Sequence, residues 1–281
     1  MTDYVALLGT KGGPAIRTGS TNPTSHLLCL AGQRVVVDCG LGVTRGLVDQ
    51  GMALRDLSDI LITHLHSDHY LELGPLIHTA WTAGLKTPVT VYGPEGLAQY
   101  WAHFTASMAY DIDIRIADEG RPDLRDLVTI RPVTDRFTIG ALTVDSTLTE
   151  HPPVICHAFR VTGAGRSVVF SGDTAYLPRL AEFARGADLL IHEAMLGAAL
   201  PALVARVGNG DDRLMTHLKR SHTTAEDAAR IAAMAGVGAL ALNHLIPSDD
   251  PDYTQSHWQD AVRPHWDGPF YLGHDGLRIT L

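Results

Sequence analysis

Four residues with ligand chemistry fall within six positions of the stretch THLHSDHY: His64, His66, Asp68 and His69. Neutral imidazole nitrogens and carboxylate oxygens are the donors that borderline divalent ions such as zinc accept. Buried without partners, the same groups would be costly, so this density points to metal. Four donors on so short a segment cannot all aim at one ion. Alternate positions 64 and 66 suit one ion, and 68 and 69 turn towards a second. Each ion then needs further donors. His151, Asp173 and His244 each come directly after an apolar, strand-like run: LTVDSTLTE, SVVFSG and ALALN.

The elements that must hold these residues are legible as short runs between turn signals. YVALLG, SHLLCLAG and QRVVVDCG read as strands, and GVTRGLVDQGM as a helix. LSDILITH is a buried strand that ends on the histidine cluster, followed by a helix over YLELGPLIHTAWTAGL. After the strand TPVTVYG, a helix is expected to start with Pro94 at its first position. Residues 110–140, acidic and broken by DEGRPD, read as a loop-rich excursion or a sheet edge. Three more strands follow, LTVDSTLTEH, ICHAFRVTG and RSVVFSGDT, then a helix near 177–185 and the strand ADLLIHEA. TTAEDAARIAAMAG is a helix with a Thr cap, Glu226 as the capping-box partner and an end at Gly236. VGALALNHL is a strand, and PFYLGHDGLRITL is expected to close the chain as a two-strand hairpin. Each half moves from antiparallel strands into strand–helix alternation, with no Pro- or Ser-rich linker between them. This predicts a single domain over 1–281, a four-layer αββα sandwich of two facing sheets with helices outside.

Composition narrows the partners. With 281 residues, 45% of them hydrophobic, the chain can bury a large core. Its 22 Lys and Arg are scattered and the formal charge is −9, which disfavours a nucleic-acid partner. No run approaches the length of a membrane span and no signal peptide is apparent, so a cytoplasmic protein is expected. Cys29, Cys39 and Cys156 form no C-x-x-C pair and read as buried free thiols. GTKGGP lacks the G-K-[ST] ending of a phosphate loop and reads as a Gly-rich turn.

The ordered donors after strands, together with the HLHSDH block, resemble the metallo-β-lactamase superfamily over nearly the whole chain. That resemblance implies His64, His66 and His151 on a first metal, Asp68, His69 and His244 on a second, and Asp173 bridging them. It implies two divalent ions per chain, zinc first and Mn2+ or Fe2+ as substitutes, with a metal-bridging hydroxide as nucleophile. Asp68 would also steer that hydroxide. Within the superfamily, LLGTKGGP with Arg17, SGDT, ADLLIHEA and SHTTAEDAARIAAMAGVGALALNHL are most similar to ribonuclease Z and its arylsulfatase-like relatives. His222 then matches a histidine that protonates the leaving group. Glu193 is expected to orient a histidine.

One departure bears on the substrate. Ribonuclease Z carries a long tRNA-gripping arm between the residues matching His151 and Asp173, which here lie only 22 positions apart. With the acidic charge, this favours a hydrolase acting on a small-molecule ester, lactone, sulfate ester, amide or phosphodiester. A ribonuclease Z-type RNA phosphodiesterase ranks second, and a non-catalytic metal-binding or iron sensor module third. Residues 195–221 suggest a lid or pocket wall, with Met195, Leu200, Met215, His217 and Trp81 lining an apolar cavity. The resemblance also suggests a homodimer.

Overall fold

Side chains alternate between two buried environments along the central strands of the computed structural model, which describes residues 2–281. In β1 (Tyr4–Gly9), Val5 and Leu7 face one core while Ala6 and Leu8 face another. β3 (Gln33–Cys39) repeats this with Val35 and Val37 against Val36. Strands covered on both faces have no polar side to show, which is why they read as continuous apolar runs.

The first sheet also contains β2 (Ser25–Leu30), β4 (Asp59–Leu61), β5 (Val89–Gly93), β6 (Val128–Pro132) and the last strand, β14 (Leu277–Thr280). Its order is β14-β1-β2-β3-β4-β5-β6, antiparallel as far as β3 and parallel beyond it. The second sheet comprises β7 (Arg136–Ile139), β8 (Leu142–Leu148), β9 (His157–Gly163), β10 (Arg166–Phe170), β11 (Leu189–Met195), β12 (Leu240–Ile246) and β13 (Phe270–Leu272). Its order, β13-β12-β11-β10-β9-β8-β7, is parallel to β10 and antiparallel beyond.

Between the sheets lies a core that draws Val5, Leu28 and Val37 from the first and Val144, Phe159 and Ile191 from the second. A second core covers the outer face of the first sheet with helices Val43–Asp49, Leu73–Thr82 and Leu97–Ser107. A third covers the other sheet with helices Arg179–Phe183, Ala225–Ala235 and Gln255–Val262. The four-layer αββα arrangement expected from the sequence is the one observed. No helix among the described residues is long and apolar enough to cross a membrane.

Four local readings are corrected. Of the two readings of residues 110–140 the sheet edge holds and the loop-rich excursion does not: helices Ala109–Glu119 and Leu124–Leu127 lead into β6 and β7, the edge strands of the two sheets. The acidic residues there are held by i,i+4 pairs, Asp111–Arg115 and Arg115–Glu119, a helical pattern that resembles loop composition when read only for charge. Pro94 does not begin its helix, because Gly96, with φ +97°, delays the start to Leu97. The cap of Ala225–Ala235 is Thr224, whose side chain accepts from the Asp227 backbone N–H, so the third helical position is Asp227 and not Glu226. Finally, β13 and β14 do not form a hairpin. β13 pairs with β12, and the chain then crosses to pair β14 with β1 in the other sheet.

Three strands carry a one-residue irregularity, at Leu8 in β1 and at two polar positions. Ser25 pairs with Cys39 and His26 with Val37, leaving Asp38 as the extra residue in β3. In β12, Asn243 pairs with Glu193 and Leu245 with Ala194, leaving His244 extra. Asp38 and His244 have left-handed backbones, φ +61° and φ +45°, a conformation that non-glycine residues adopt at a cost. Bulges re-aim side chains. Here they turn one residue from each sheet into the same polar space.

Candidate metal centre

β4 delivers His64 and His66 to a short connection, and the one-turn helix Ser67–Tyr70 supplies Asp68 and His69. His151 lies in the loop after β8, Asp173 in the loop after β10, and His244 on the bulge of β12. The seven residues expected from the sequence converge. His64, His66, His151 and Asp173 form one group of donor atoms, and Asp68, His69 and His244 form another.

Three nitrogens of the first group crowd one point. His66 Nδ1 is 3.1 Å from His64 Nε2 and 2.9 Å from His151 Nε2. Nitrogens around one tetrahedral ion at ~2.0–2.1 Å would sit roughly 3.3 Å apart, so these spacings are nearly those of a coordination shell. The outward nitrogens are spoken for: His151 Nδ1–H donates to the Ser221 carbonyl at 2.8 Å, and His64 Nδ1 is 3.1 Å from Thr63 Oγ1. Burial holds His64 well below the ordinary imidazole pKa and brings His151 to about 4, leaving both neutral with a lone pair to give.

In the second group, His69 Nδ1–H donates to Asp38 at 2.8 Å, and its Nε2 is buried with no hydrogen-bond partner. That nitrogen lies 3.4 Å from Asp173 Oδ1 and 3.6 Å from Asp68 Oδ2. His244 Nε2 lies 3.3 Å from Asp68 and 3.2 Å from Asp173. Asp173 therefore faces both groups, with Oδ2 also 3.7 Å from His64 and His151. Burial alone would raise the pKa of Asp68 and Asp173, but the surrounding imidazoles hold both carboxyls below their usual range. Asp38, Asp68, Asp173 and Glu193 are all buried, and none pairs with a Lys or Arg among the described residues. An orphaned nitrogen, clustered lone pairs and this surplus of negative charge fit a pair of divalent cations.

Asp38 escaped the sequence reading. Thr63 Oγ1–H donates to it at 2.9 Å and the Thr63 backbone N–H at 2.8 Å, so one carboxylate orients His69 directly and His64 through Thr63. Its signal was present in VVVDCG: an acid ending a strand buried on both faces needs a buried partner. Asp38→Asn, which tolerates the left-handed backbone, is expected to weaken metal affinity by about 10–100-fold in a chelator-competition titration. An unchanged affinity would remove this role.

Glu193, on β11, meets His222 with both oxygens 3.1 Å from Nδ1. Burial opposes a charged imidazole, but Glu193 and then Asp173 outweigh it and raise His222 to about 9. The Glu193 carboxyl itself is pushed up by burial, with His222 working against that shift. His222 stacks on the His244 ring, with centroids 5.4 Å apart.

The groups open onto a cavity of about 350 Å³. His66, Asp68, Asp173, His222 and His244 line its floor, and Lys11 and Arg17 line one side. A helical hairpin, Leu200–Val207 and Arg213–Ser221, contributes Leu203, Val207, Leu214, His217 and Leu218 to its wall. Of the expected liners only His217 reaches the cavity. Met195 and Leu200 are buried under the hairpin with Met215 packed beside them, and Trp81 belongs to the helical layer of the first sheet, its indole N–H bonded to the Pro122 carbonyl. GTKGGP is a turn, as expected, and it closes over the centre: Gly13 N–H donates to Asp68 at 2.8 Å, and a Cβ on Gly12 would lie 2.9 Å from the His244 ring. Cys39 and Cys156 are buried free thiols, while Cys29 is only half-buried.

The family model described as Beta-lactamase superfamily domain matches residues 33–245. The chain belongs to the metallo-β-lactamase superfamily, a family of metal-dependent hydrolases. Among curated proteins it is 32% identical to the ribonuclease Z of Mycolicibacterium gilvum (strain PYR-GCK), over 99% of this chain and 96% of that one. Among solved structures it resembles the metallo-beta-lactamase fold protein YhfI from Bacillus subtilis, with a TM-score of 0.73, 22% identity and full coverage of both chains. It also resembles the short form of human tRNase Z, with a TM-score of 0.68, 20% identity and 99% and 98% coverage.

Proposed function

We propose that this chain is a two-metal phosphodiesterase of the ribonuclease Z type, cleaving RNA near a 3′ end. The observation that carries it is the Glu193–His222 pair: His222 lines the same cavity as His66, Asp68, Asp173 and His244, and the buried Glu193 holds it from behind. A ribose alkoxide is a poor leaving group and needs a proton as it departs, whereas an activated aryl ester or a strained lactone does not. The full-length similarity to proteins named ribonuclease Z supports the same reading and reverses the order suggested by sequence alone. The missing arm does not separate this chain from them. The alignment with the M. gilvum protein spans 284 positions against 281 residues, leaving space for only a few inserted residues. Where an arm would emerge, β9 and β10 are joined by the two-residue turn Ala164-Gly165, both with positive φ.

In this reading His64, His66 and His151 would hold one ion and Asp68, His69 and His244 the other, with Asp173 available to both. Zinc is the ion proposed. When bound, the ions supply Lewis acidity and an activated water. Asp68, whose Oδ2 accepts from the Gly13 N–H, positions a carboxylate oxygen to accept a proton from the attacking group. His222 holds a proton on Nε2, with Nδ1 anchored by Glu193, and delivers it to the departing oxygen. The hairpin over 195–221 walls the cavity and excludes water from the reacting atoms. We place all of this in one domain over 1–281, working as a homodimer.

A small-molecule hydrolase is the second reading, favoured by the apolar wall of Leu203, Val207, Leu214 and Leu218 and by the charge of −9. One experiment separates the two. The purified protein is analysed for metal and assayed on a precursor tRNA with a 3′ trailer, a bis-aryl phosphodiester, an aryl ester, a lactone and an aryl sulfate. About two divalent ions per chain, with chelator-sensitive removal of the trailer, is the expected result. Turnover of the ester or lactone with no RNA cleavage at low salt would overturn the proposal, and iron with no hydrolysis would favour a sensor.

A further inference from the structure

Lys11 lies in the turn that closes over the centre. Its backbone is fixed on two sides: its N–H bonds to the Asn22 carbonyl, and the next N–H, of Gly12, bonds to the Leu245 carbonyl. The residue is only 4% exposed, yet it lines the catalytic cavity. Its ammonium makes one hydrogen bond, to the Gly12 carbonyl at 3.0 Å, and no carboxylate comes within 4.0 Å of it among the described residues. An ammonium has three donors, so two remain unspent. The neighbouring cations differ. Arg17 is paired with Asp249 at 3.0 Å, and Arg206 is paired with Asp249 and Asp250.

A desolvated cation without a counter-ion costs stability, and replacing it with an apolar residue ordinarily would not. Burial depresses its pKa in keeping with that cost, with the carboxylates of Asp249 and Asp68, beyond pairing distance, working against the shift. The fold nevertheless fixes this ammonium at the edge of a cavity whose anionic liners, Asp68 and Asp173, belong to the donor groups, while the hairpin contributes the apolar Leu203, Val207, Leu214 and Leu218. We propose that Lys11 is a specificity-determining residue that pairs with an anionic phosphate oxygen of the substrate next to the scissile bond. The identity of that anion as phosphate rests on the phosphodiesterase reading. With charge drawn to Lys11, the uncharged part of the substrate lies along Leu203, Leu214 and Leu218. A cavity of about 350 Å³ then admits one nucleotide end at a time, not a duplex.

The test compares the metal-loaded wild type with Lys11→Met and Lys11→Arg. Binding of uridine 3′,5′-bisphosphate and of uridine is measured by calorimetry, and rates are measured on thymidine 5′-(p-nitrophenyl phosphate) and the neutral p-nitrophenyl acetate. Lys11→Met is expected to weaken bisphosphate binding about 10–100-fold, with arginine restoring most of it. Its loss of kcat/KM on the phosphodiester should exceed that on the neutral ester at least tenfold, appearing in KM more than in kcat. Its melting temperature should equal or exceed that of the wild type. Equal bisphosphate binding by wild type and Lys11→Met overturns the proposal. So does a uniform loss on every ligand accompanied by a lower melting temperature, which would mark Lys11 as structural. If the wild type hydrolyses only the neutral ester, the phosphodiesterase reading falls, while the bisphosphate comparison still decides the role of Lys11.

Discussion

Replacing Asp173 with asparagine is expected to empty both metal positions and lower kcat/KM by about a thousandfold or more. The geometry dictates the size of the effect. Asp173 Oδ2 lies 3.2 Å from His244 and 3.7 Å from both His64 and His151, while Oδ1 lies 3.4 Å from His69, so one carboxylate addresses both donor groups. Asparagine keeps the shape but offers one neutral oxygen and an NH2 that would point at a cation. Elemental analysis should find fewer than one ion per chain. A variant that retains two ions and a rate within tenfold of wild type would show that Asp173 does not join the groups.

His222→Ala should instead leave the metal content intact and cost activity according to the leaving group. On RNA, where a ribose oxygen departs, a loss of about 10²–10⁴-fold in kcat is expected. On a p-nitrophenyl phosphodiester, whose phenolate leaves without help, the loss should fall to roughly tenfold or less. Equal losses on both substrates would assign His222 a role other than proton donor. Its partner makes a useful control. Glu193 holds Nδ1 from 3.1 Å, so Glu193→Gln should reproduce the leaving-group dependence in milder form.

The sequence made the donor set legible because coordination chemistry concentrates rare residue types. Three histidines and an aspartate within THLHSDHY have few other uses, and His151, Asp173 and His244 stood out by following apolar runs. What it hid was pairing across long separations. Asp38 reaches His69 over 31 positions, and nothing local marks it beyond a charge at the end of a buried strand. The closing segment read as a hairpin because two strands with a turn between them normally pair. Here Phe270–Leu272 finds a parallel partner in β12, so Leu277–Thr280 is left to complete the other sheet. The lining of the cavity was misjudged for a related reason. Met195, Leu200 and Trp81 are apolar and near the centre in sequence or layer, but apolar residues first satisfy the cores beneath their own elements. The Glu193–His222 pair was half visible: Glu193 was expected to orient a histidine, and the structure brings it to His222, 29 residues away.

The paired irregularities in β3 and β12 carry a consequence for how this protein can change. At Asp38 and His244 a glycine would relieve an unfavourable backbone, so a selection for thermal stability alone would drift towards glycine there. Any lineage that took that step would lose an orienting carboxylate or a donor from the centre. These two positions are therefore expected to resist stabilising substitution for as long as the chain is selected as a catalyst, and to be among the first to turn to glycine in descendants that keep the fold but abandon the chemistry.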